Sequence, residues 1–244
     1  KMDVEGFEKF DTNALPNTGV VRGIHRYDDK VFACRGNDLF FSTGTNWTKV
    51  SDNATYNSAG VTIGGLGKVR FLKYDFDNTE KLMLVDSTGK PYRFDGTTFE
   101  QLTSLSNDTS GSSFIVNFKN HIVLGNGKKI IFSSPYEDDD FTIANGGGII
   151  NVADTITGLI VFREQLVVFS ESSINIINGN SISDFVMQPV SRDLGCVASD
   201  TIQEIGGDIL FLGPDGLRLF SATDRIGDFG LGAVSKTIQV EILD

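Results

Sequence analysis

Residues 206–229, GGDILFLGPDGLRLFSATDRIGDF, decide the fold class of this 244-residue chain. Two apolar runs, 209–212 and 217–220, flank the turn sequence Gly-Pro-Asp-Gly at 213–216. Proline presets φ and glycine supplies a positive φ, so this stretch predicts a β-hairpin. A tail of small and charged residues follows and ends on Phe229. The same stretch also permits a second interpretation as a chemical site, because Asp215, Asp224, Arg225 and Asp228 lie close together in sequence.

The hairpin pattern recurs four times earlier in the chain, as an apolar run, a polar turn, a second apolar run, a short loop and an aromatic residue. A further strand-like segment precedes each copy, so every unit of about 40 to 50 residues holds three or four short strands. The copies lie near 31–47, 82–99, 122–141, 166–185 and 209–229, and their terminal aromatic residues are Trp47, Phe99, Phe141, Phe185 and Phe229.

This period is typical of the blades of a β-propeller. No long stretch carries the apolar i, i+3, i+4, i+7 stripe of a helix. We therefore predict an all-β fold, a β-propeller of five to six blades built from four-stranded antiparallel sheets, in a single domain spanning residues 1–244. A pair of β-sandwiches is the alternative. One aromatic residue per copy is expected to fill the wedge between blades, and the alternating apolar residues of AVSKTIQVEILD (233–244) predict a terminal strand that completes a blade.

Composition excludes several classes of partner. The net charge is -11 and the sequence pI about 4.6, so the chain should repel nucleic acid and anionic membranes. It contains no apolar run long enough to span a membrane, and no signal peptide is visible. Cys34 and Cys196 are too few for a disulfide framework or a zinc site. We expect two reduced, buried thiols, with a bridge between them as the alternative.

Sequence motifs of catalysis are missing. His25 and His121 are the only histidines, and neither has the spacing of a nucleophile triad or of a metal site. Gly146–Gly148 lacks the lysine and helix of a phosphate loop. The acidic run YEDDDF (136–141) lacks the ligand spacing and fixed glycine of calcium loops, which favours a solvated loop. We assign no catalytic, cofactor-binding or metal-binding residue, and we expect no cofactor.

One enzymatic interpretation stays open. STGTNW (42–47) resembles the Asp-box turn of sialidase-like propellers, although the aspartate is absent. Sialidase chemistry uses three arginines and a tyrosine nucleophile with its glutamate. The residues that could fill these roles are Arg22, Arg70, Arg163, Arg192 and Tyr74, although nothing in their spacing requires such a site.

The later part of the chain carries a more specific pattern. Residues 117–180 read NFKNHIVLGNGKKIIFSSPYEDDDFTIANGGGIINVADTITGLIVFREQLVVFSESSINIINGN, in which a strand ending in FSSP leads through an acidic loop to INV, TITGL and LVVF. Residues 193–224 continue it with GCVA, GGDILFL and PDGLR. Over roughly residues 115–235 this ordered series resembles the tail nozzle (tail tubular) and packaged-DNA stabilisation proteins of short-tailed bacteriophages.

The resemblance implies a non-enzymatic structural protein of the virion tail, assembled in the cytoplasm of the bacterial host. Such proteins form rings, usually of six subunits, that contact other tail or head-to-tail connector proteins, retain the genome and then conduct it during ejection. DNA would pass without tight binding, which suits an acidic subunit. Family members are typically longer, so we expect either a shorter relative or gate residues outside this sequence. The alternatives are a carbohydrate-binding or sialidase-like propeller, acting as an adhesin or glycosidase, and a general protein-interaction propeller.

Overall fold

The computed structural model describes residues 9–224 of the chain. Within that range the regular structure is nearly all strand, with one α-helix, α1 (Phe220–Asp224), near its end. No helix in the range is long and apolar enough to cross a membrane. Contacts divide the chain into two compact units, the first ending at Ser113 and the second beginning at Phe114. The expectation of a single domain over residues 1–244 stays a prediction.

The first unit contains two antiparallel sheets, each made of four strands that follow one another in sequence. Two short 3-10 helices, Ala54–Tyr56 and Asn107–Thr109, lie in the connections after the sheets. The strands are β1 (Val21–Tyr27), β2 (Lys30–Arg35), β3 (Asp38–Ser42) and β4 (Trp47–Lys49) in sheet 1, and β5 (Arg70–Asp75), β6 (Glu80–Val85), β7 (Tyr92–Phe94) and β8 (Phe99–Gln101) in sheet 2.

The second unit contains three further antiparallel sheets, two of four strands and one of three described strands. Two 3-10 helices, Ile143–Asn145 and Ser199–Thr201, interrupt its connections. Its strands are β9 (Phe114–Phe118), β10 (His121–Asn126), β11 (Lys129–Phe132) and β12 (Gly148–Asn151) in sheet 3, β13 (Ile156–Phe162), β14 (Gln165–Ser170), β15 (Ile174–Asn178) and β16 (Val186–Ser191) in sheet 4, and β17 (Gln203–Ile205), β18 (Asp208–Gly213) and β19 (Gly216–Leu219) in sheet 5.

A sheet of consecutive antiparallel strands is the blade of a β-propeller. The first strands of neighbouring sheets lie side by side within each unit, β1 next to β5 and β9 next to β13, as the inner strands of adjacent blades do. The prediction of an all-β propeller is thus confirmed, with five sheets among residues 9–224. Four of the sheets have the predicted four strands and sheet 5 has three described strands. The strand predicted in residues 233–244 lies outside the described residues.

Within the stretch at 206–229, residues 208–219 form the hairpin that the turn chemistry predicts. Strands β18 and β19 pair from Leu210 with Leu219 to Gly213 with Gly216. The Arg218 Nε donates to Asp215 Oδ1 at 2.7 Å, which ties the turn to the strand that follows it. Asp215 therefore stabilises the turn of the hairpin. Arg225 and Asp228 lie outside the described residues.

Each pair of neighbouring sheets within a unit encloses a core of apolar side chains. One cluster joins sheets 1 and 2, a second joins sheets 3 and 4, and a third joins sheets 4 and 5. The aromatic residues that are wholly or almost wholly buried stand mainly within the strands, because strand residues point straight into the space between sheets. They include Phe32, Phe118, Phe132, Phe169 and Phe211.

The residues predicted to fill the wedges do so to different degrees. Phe99 is fully buried and stacks on Tyr92, as expected. Phe185 is half-buried and packs on Phe118 and Phe132, with ring centroids 5.4 and 5.0 Å away. Trp47, which begins β4, and Phe141, which lies in the loop between β11 and β12, are also only half-buried. Phe229 lies outside the described residues.

Candidate functional site

The side chains proposed for enzymatic chemistry in the first unit are occupied by structural contacts. Arg22 is almost wholly buried, and its guanidinium donates to four backbone carbonyls. These are the carbonyls of Gly67 and Gly64, both at 2.7 Å, of Gly36 at 3.0 Å and of Ile63 at 3.4 Å. Such a group holds a loop against β1 and presents no donor fork to a bound carboxylate.

The remaining sialidase candidates lie in separate settings. Burial lowers the pKa of Arg70, and Tyr74 is 3% exposed and packs on Phe76. In the second unit Arg163 is in the β13–β14 turn, where it donates to the Gly207 carbonyl at 2.7 Å. Arg192 is exposed directly after β16. Within neither unit do these contacts assemble an arginine cluster around a tyrosine.

The two histidines make packing contacts. His121 is 1% exposed, with its Nδ1 2.5 Å from the Ser133 carbonyl oxygen and its ring against Phe132 and Phe185. His25 stacks on Phe71 with ring centroids 5.6 Å apart. Burial, and then the charge of Lys73, lower the pKa of His25, so its imidazole is neutral at pH 7.

Both cysteines are buried, free thiols, as the sequence predicts. Burial raises the pKa of Cys34 to about 11, and it also raises the pKa of Cys196. A thiol with so high a pKa is a poor nucleophile, because the thiolate is the reactive form.

We therefore expect neither thiol to react with a disulfide reagent in the folded protein at pH 8, where roughly one Cys34 in a thousand would be ionised. The measurement is the absorbance of the released thiolate with and without guanidinium. Two equivalents should react on unfolding and almost none before it. Rapid reaction of one native thiol would contradict the assignment of these groups as inert core residues.

The acidic loop at 136–141 is organised by its own backbone. The Ser134 amide donates to the Asp140 carbonyl at 2.7 Å. The Asp140 carboxylate accepts from the Asn145 amide at 2.6 Å and from the Thr142 N–H at 2.8 Å, and these bonds lower the pKa of Asp140. Among the described residues no group of three or more His, Cys, Asp or Glu side chains is placed to hold a metal ion.

The glycine run at 146–148 meets a packing requirement. Gly146 ends a 3-10 helix with φ 96°. A Cβ at Gly147 would lie 2.7 Å from the Phe141 carbonyl carbon, and one at Gly148 would lie 2.5 Å from Ile182 Cγ1. Only glycine fits at such separations, so the run brings backbone and neighbouring loops together.

A surface at one end of the second unit was not found by the sequence analysis. We call Lys119, Asn120, Tyr136, Arg163 and Glu164 the turn surface. All five are non-glycine residues with φ between 48° and 65°, the left-handed region. The pairs 119–120 and 163–164 are the two-residue turns of the β9–β10 and β13–β14 hairpins, where positive φ matches the twist of the strands. Such backbone conformations in lysine, arginine and glutamate are sparsely populated and often mark functional surfaces.

The turn surface is held together by contacts between neighbouring hairpins. The Lys119 ammonium lies 2.5 Å from Glu164 Oε2, an ion pair that lowers the pKa of Glu164. Arg163 reaches the next hairpin turn at the Gly207 carbonyl. The Tyr136 N–H donates to the Asn120 carbonyl at 2.8 Å, and the Asn120 amide donates to the Tyr136 hydroxyl at 3.0 Å. Tyr136 nevertheless remains 59% exposed.

A second exposed surface lies in the first unit. We call Val20, Val21, Ile24 and Leu66 the apolar surface; their exposed fractions are 70%, 48%, 66% and 92%. Its two segments are tied together by Arg22, which bonds to the carbonyls on either side of Leu66, and by the Val69 N–H, which donates to the Arg22 carbonyl at 2.9 Å. Large exposed apolar residues on neighbouring segments of the surface are a common feature of interaction sites.

Comparison with known proteins identifies the fold. No family model and no curated protein matches the chain. Solved structures do: the extracellular domain of BT4673 from B. thetaiotaomicron aligns over 84% of this chain at 12% identity with a TM-score of 0.54, and YCF48 bound to D1 peptide over 86% at 12% identity with a TM-score of 0.56. The WD40 domain of Neurospora crassa Pan2 aligns over 82% at 8% identity with a TM-score of 0.50.

These similarities place the chain in the class of β-propeller proteins, to which WD40 domains belong. Identities of 8–12% support a shared fold and carry no conclusion about function. The chain spans 28% of the BT4673 chain, 66% of the YCF48 chain and 60% of the Pan2 chain.

Proposed function

We propose that this protein is a structural, non-enzymatic component of the tail of a short-tailed bacteriophage, a nozzle or tube and connector subunit. The observation that carries the proposal is the ordered series of sequence segments in residues 115–235, from FSSP to PDGLR, which resembles tail nozzle proteins. Among the candidate catalytic side chains, Arg22, Tyr74, Arg163, His25 and His121 are engaged in packing or backbone contacts, which fits a structural role. In this role copies of the chain form a ring, usually of six, that meets other tail proteins.

Charge supports the same role. A subunit lining a DNA conduit should not hold the duplex, because cationic walls would gain affinity by releasing phosphate counterions. The chain has 32 acidic residues against 21 basic ones. Such a ring would retain the genome by steric closure and release it without breaking many phosphate contacts. The corresponding location is the virion tail, with assembly in the host cytoplasm, where two reduced thiols are stable.

Negative-stain electron microscopy of the purified full chain tests the proposal. We expect rings or tubes, because tail nozzle proteins act as closed oligomers. A glycan array probed with the same preparation tests the alternative function, that of a carbohydrate-binding or sialidase-like propeller. A monomer that binds sugars would overturn the structural role and favour that alternative.

A further inference from the structure

We propose that the turn surface and the apolar surface are the two halves of one head-to-tail contact between copies of this chain, with Tyr136 of one copy lying on Val21, Ile24 and Leu66 of the next. This inference rests on the ring of the proposed function and names its interface. A contact between two different surfaces of identical subunits is heterologous, and it closes into a ring when the rotation between neighbours allows.

Tyr136 already has a fixed position in the single chain, before any contact with another copy forms. Asn120 holds it at both ends, since its carbonyl accepts from the Tyr136 N–H and its amide donates to the Tyr136 hydroxyl. Both residues have a positive φ, 62° for Tyr136 and 64° for Asn120. The ring is therefore fixed while more than half of it is exposed. A rigid tyrosine loses little conformational entropy on binding, which is why tyrosine is enriched among the residues that dominate interface energies.

The apolar surface offers an aromatic ring an exposed apolar contact area on a fixed backbone. Its backbone is fixed by the four bonds of Arg22 and by the pairing of β1 with β2. Leu66 is 92% exposed and Ile24 66% exposed, both in a part of the chain whose backbone is well hydrogen-bonded. Burying these side chains against Tyr136 removes apolar area from water, which favours association.

Charges beside Tyr136 and beside the apolar surface are complementary. Glu137 and Asp139, the neighbours of Tyr136 in sequence, are exposed carboxylates. Arg26, on β1 two residues beyond Ile24, has a side chain 79% exposed with only a long ion pair to Asp29 at 3.9 Å, and Lys68, two residues beyond Leu66, is also exposed. A chain of net charge -11 repels its own copies, so a basic rim facing an acidic rim selects this orientation over others.

The test is the oligomeric state of the full chain, measured by size-exclusion chromatography with light scattering and by microscopy. Tyr136→Ala and Leu66→Asp should each convert the ring to monomers. Phe10→Ala is the matched aromatic control, since Phe10 is 51% exposed but lies by Gly44, at the opposite end of sheet 1 from Val20 and Gly36. Val186→Asp is the matched aliphatic control, since Val186 is 54% exposed on β16. Both controls should keep the ring, and circular dichroism should show every variant folded.

Mixing the two monomeric variants distinguishes a head-to-tail contact from a symmetric one. The Tyr136→Ala copy keeps an intact apolar surface and the Leu66→Asp copy keeps an intact tyrosine. An equimolar mixture should therefore form 1:1 dimers that cannot grow into rings. Charge reversal gives an independent check: Glu137→Lys with Asp139→Lys should dissociate the ring, and adding Arg26→Glu with Lys68→Glu to the same chain should restore it.

The outcomes separate this inference from the function on which it rests. Rings that persist in Tyr136→Ala and Leu66→Asp overturn the interface and leave the tail role standing. Monomeric variants that do not pair on mixing overturn the head-to-tail arrangement. A monomeric wild-type chain at all concentrations overturns both proposals. Intact Tyr136→Ala rings that have lost binding to a glycan array would reassign Tyr136 to sugar recognition and overturn the interface.

Discussion

Replacing Arg22 with alanine should lower the free energy of unfolding of the first unit by at least about 3 kcal/mol. The side chain is 6% exposed and satisfies four backbone carbonyls, those of Gly36, Ile63, Gly64 and Gly67. Each buried acceptor left without a donor costs about 1–3 kcal/mol, and water entering the vacated space recovers only part of it. The loop that carries Leu66 would also be held less firmly against β1, because three of these bonds attach it there.

The control for this variant is Arg26→Ala on the same strand. Its side chain is 79% exposed and its one ion pair, to Asp29, spans 3.9 Å. Its loss should change stability by no more than about 0.5 kcal/mol. Urea unfolding monitored by Trp47 fluorescence reports on the first unit, because Trp47 is the chain's single tryptophan and begins β4. Equal midpoints for the two variants would show that the Arg22 bonds contribute little.

The repeat could be predicted because it depends on local features. Each hairpin is marked by apolar runs around a turn, and turn residues such as Pro214 and Gly216 act through their own φ preferences, so they can be recognised without an alignment. The wedge residues were harder to predict. Phe99 begins a strand and is buried, whereas Trp47 and Phe141 occupy the same phase and are only half-buried. Their burial depends on loop length and on packing between sheets, which sequence spacing does not specify.

The candidate surfaces could not be predicted for a related reason. No composition rule marks Lys119, Arg163 or Glu164 as turn residues, because glycine and asparagine are the usual occupants of such turns. The hairpin pairing imposes the positive φ on them. Likewise, the sequence offers Arg22 only as one of several residues available for sialidase chemistry. Its bonds to carbonyls more than 40 residues away, in the loop of Ile63–Gly67, depend on the tertiary fold.

The second large effect is expected for Phe169→Ala in the second unit. Phe169 on β14 is fully buried, and its ring lies 5.0 Å from that of Phe211 and 6.3 Å from that of Phe220. These contacts join sheet 4 to sheet 5 and to α1. Truncating a buried phenylalanine loses its transfer free energy and leaves a cavity, at a total cost of about 3–5 kcal/mol. Phe169 is a fully buried member of the apolar cluster that joins sheets 4 and 5, so its loss should weaken the packing between these two sheets.

Phe141→Ala is the matched comparison, because Phe141 belongs to the same unit but is only half-buried in a loop. It should destabilise the protein by clearly less than Phe169→Ala does, and Phe169→Leu should recover much of the loss by refilling the cavity. Hydrogen exchange measured on peptides from β14 and β18 locates the effect, since opening of the interface between sheets 4 and 5 raises exchange in both strands together. Faster exchange in β14 with no change in β18 would mean that sheet 5 is held by other contacts, and the central role of Phe169 would then be wrong.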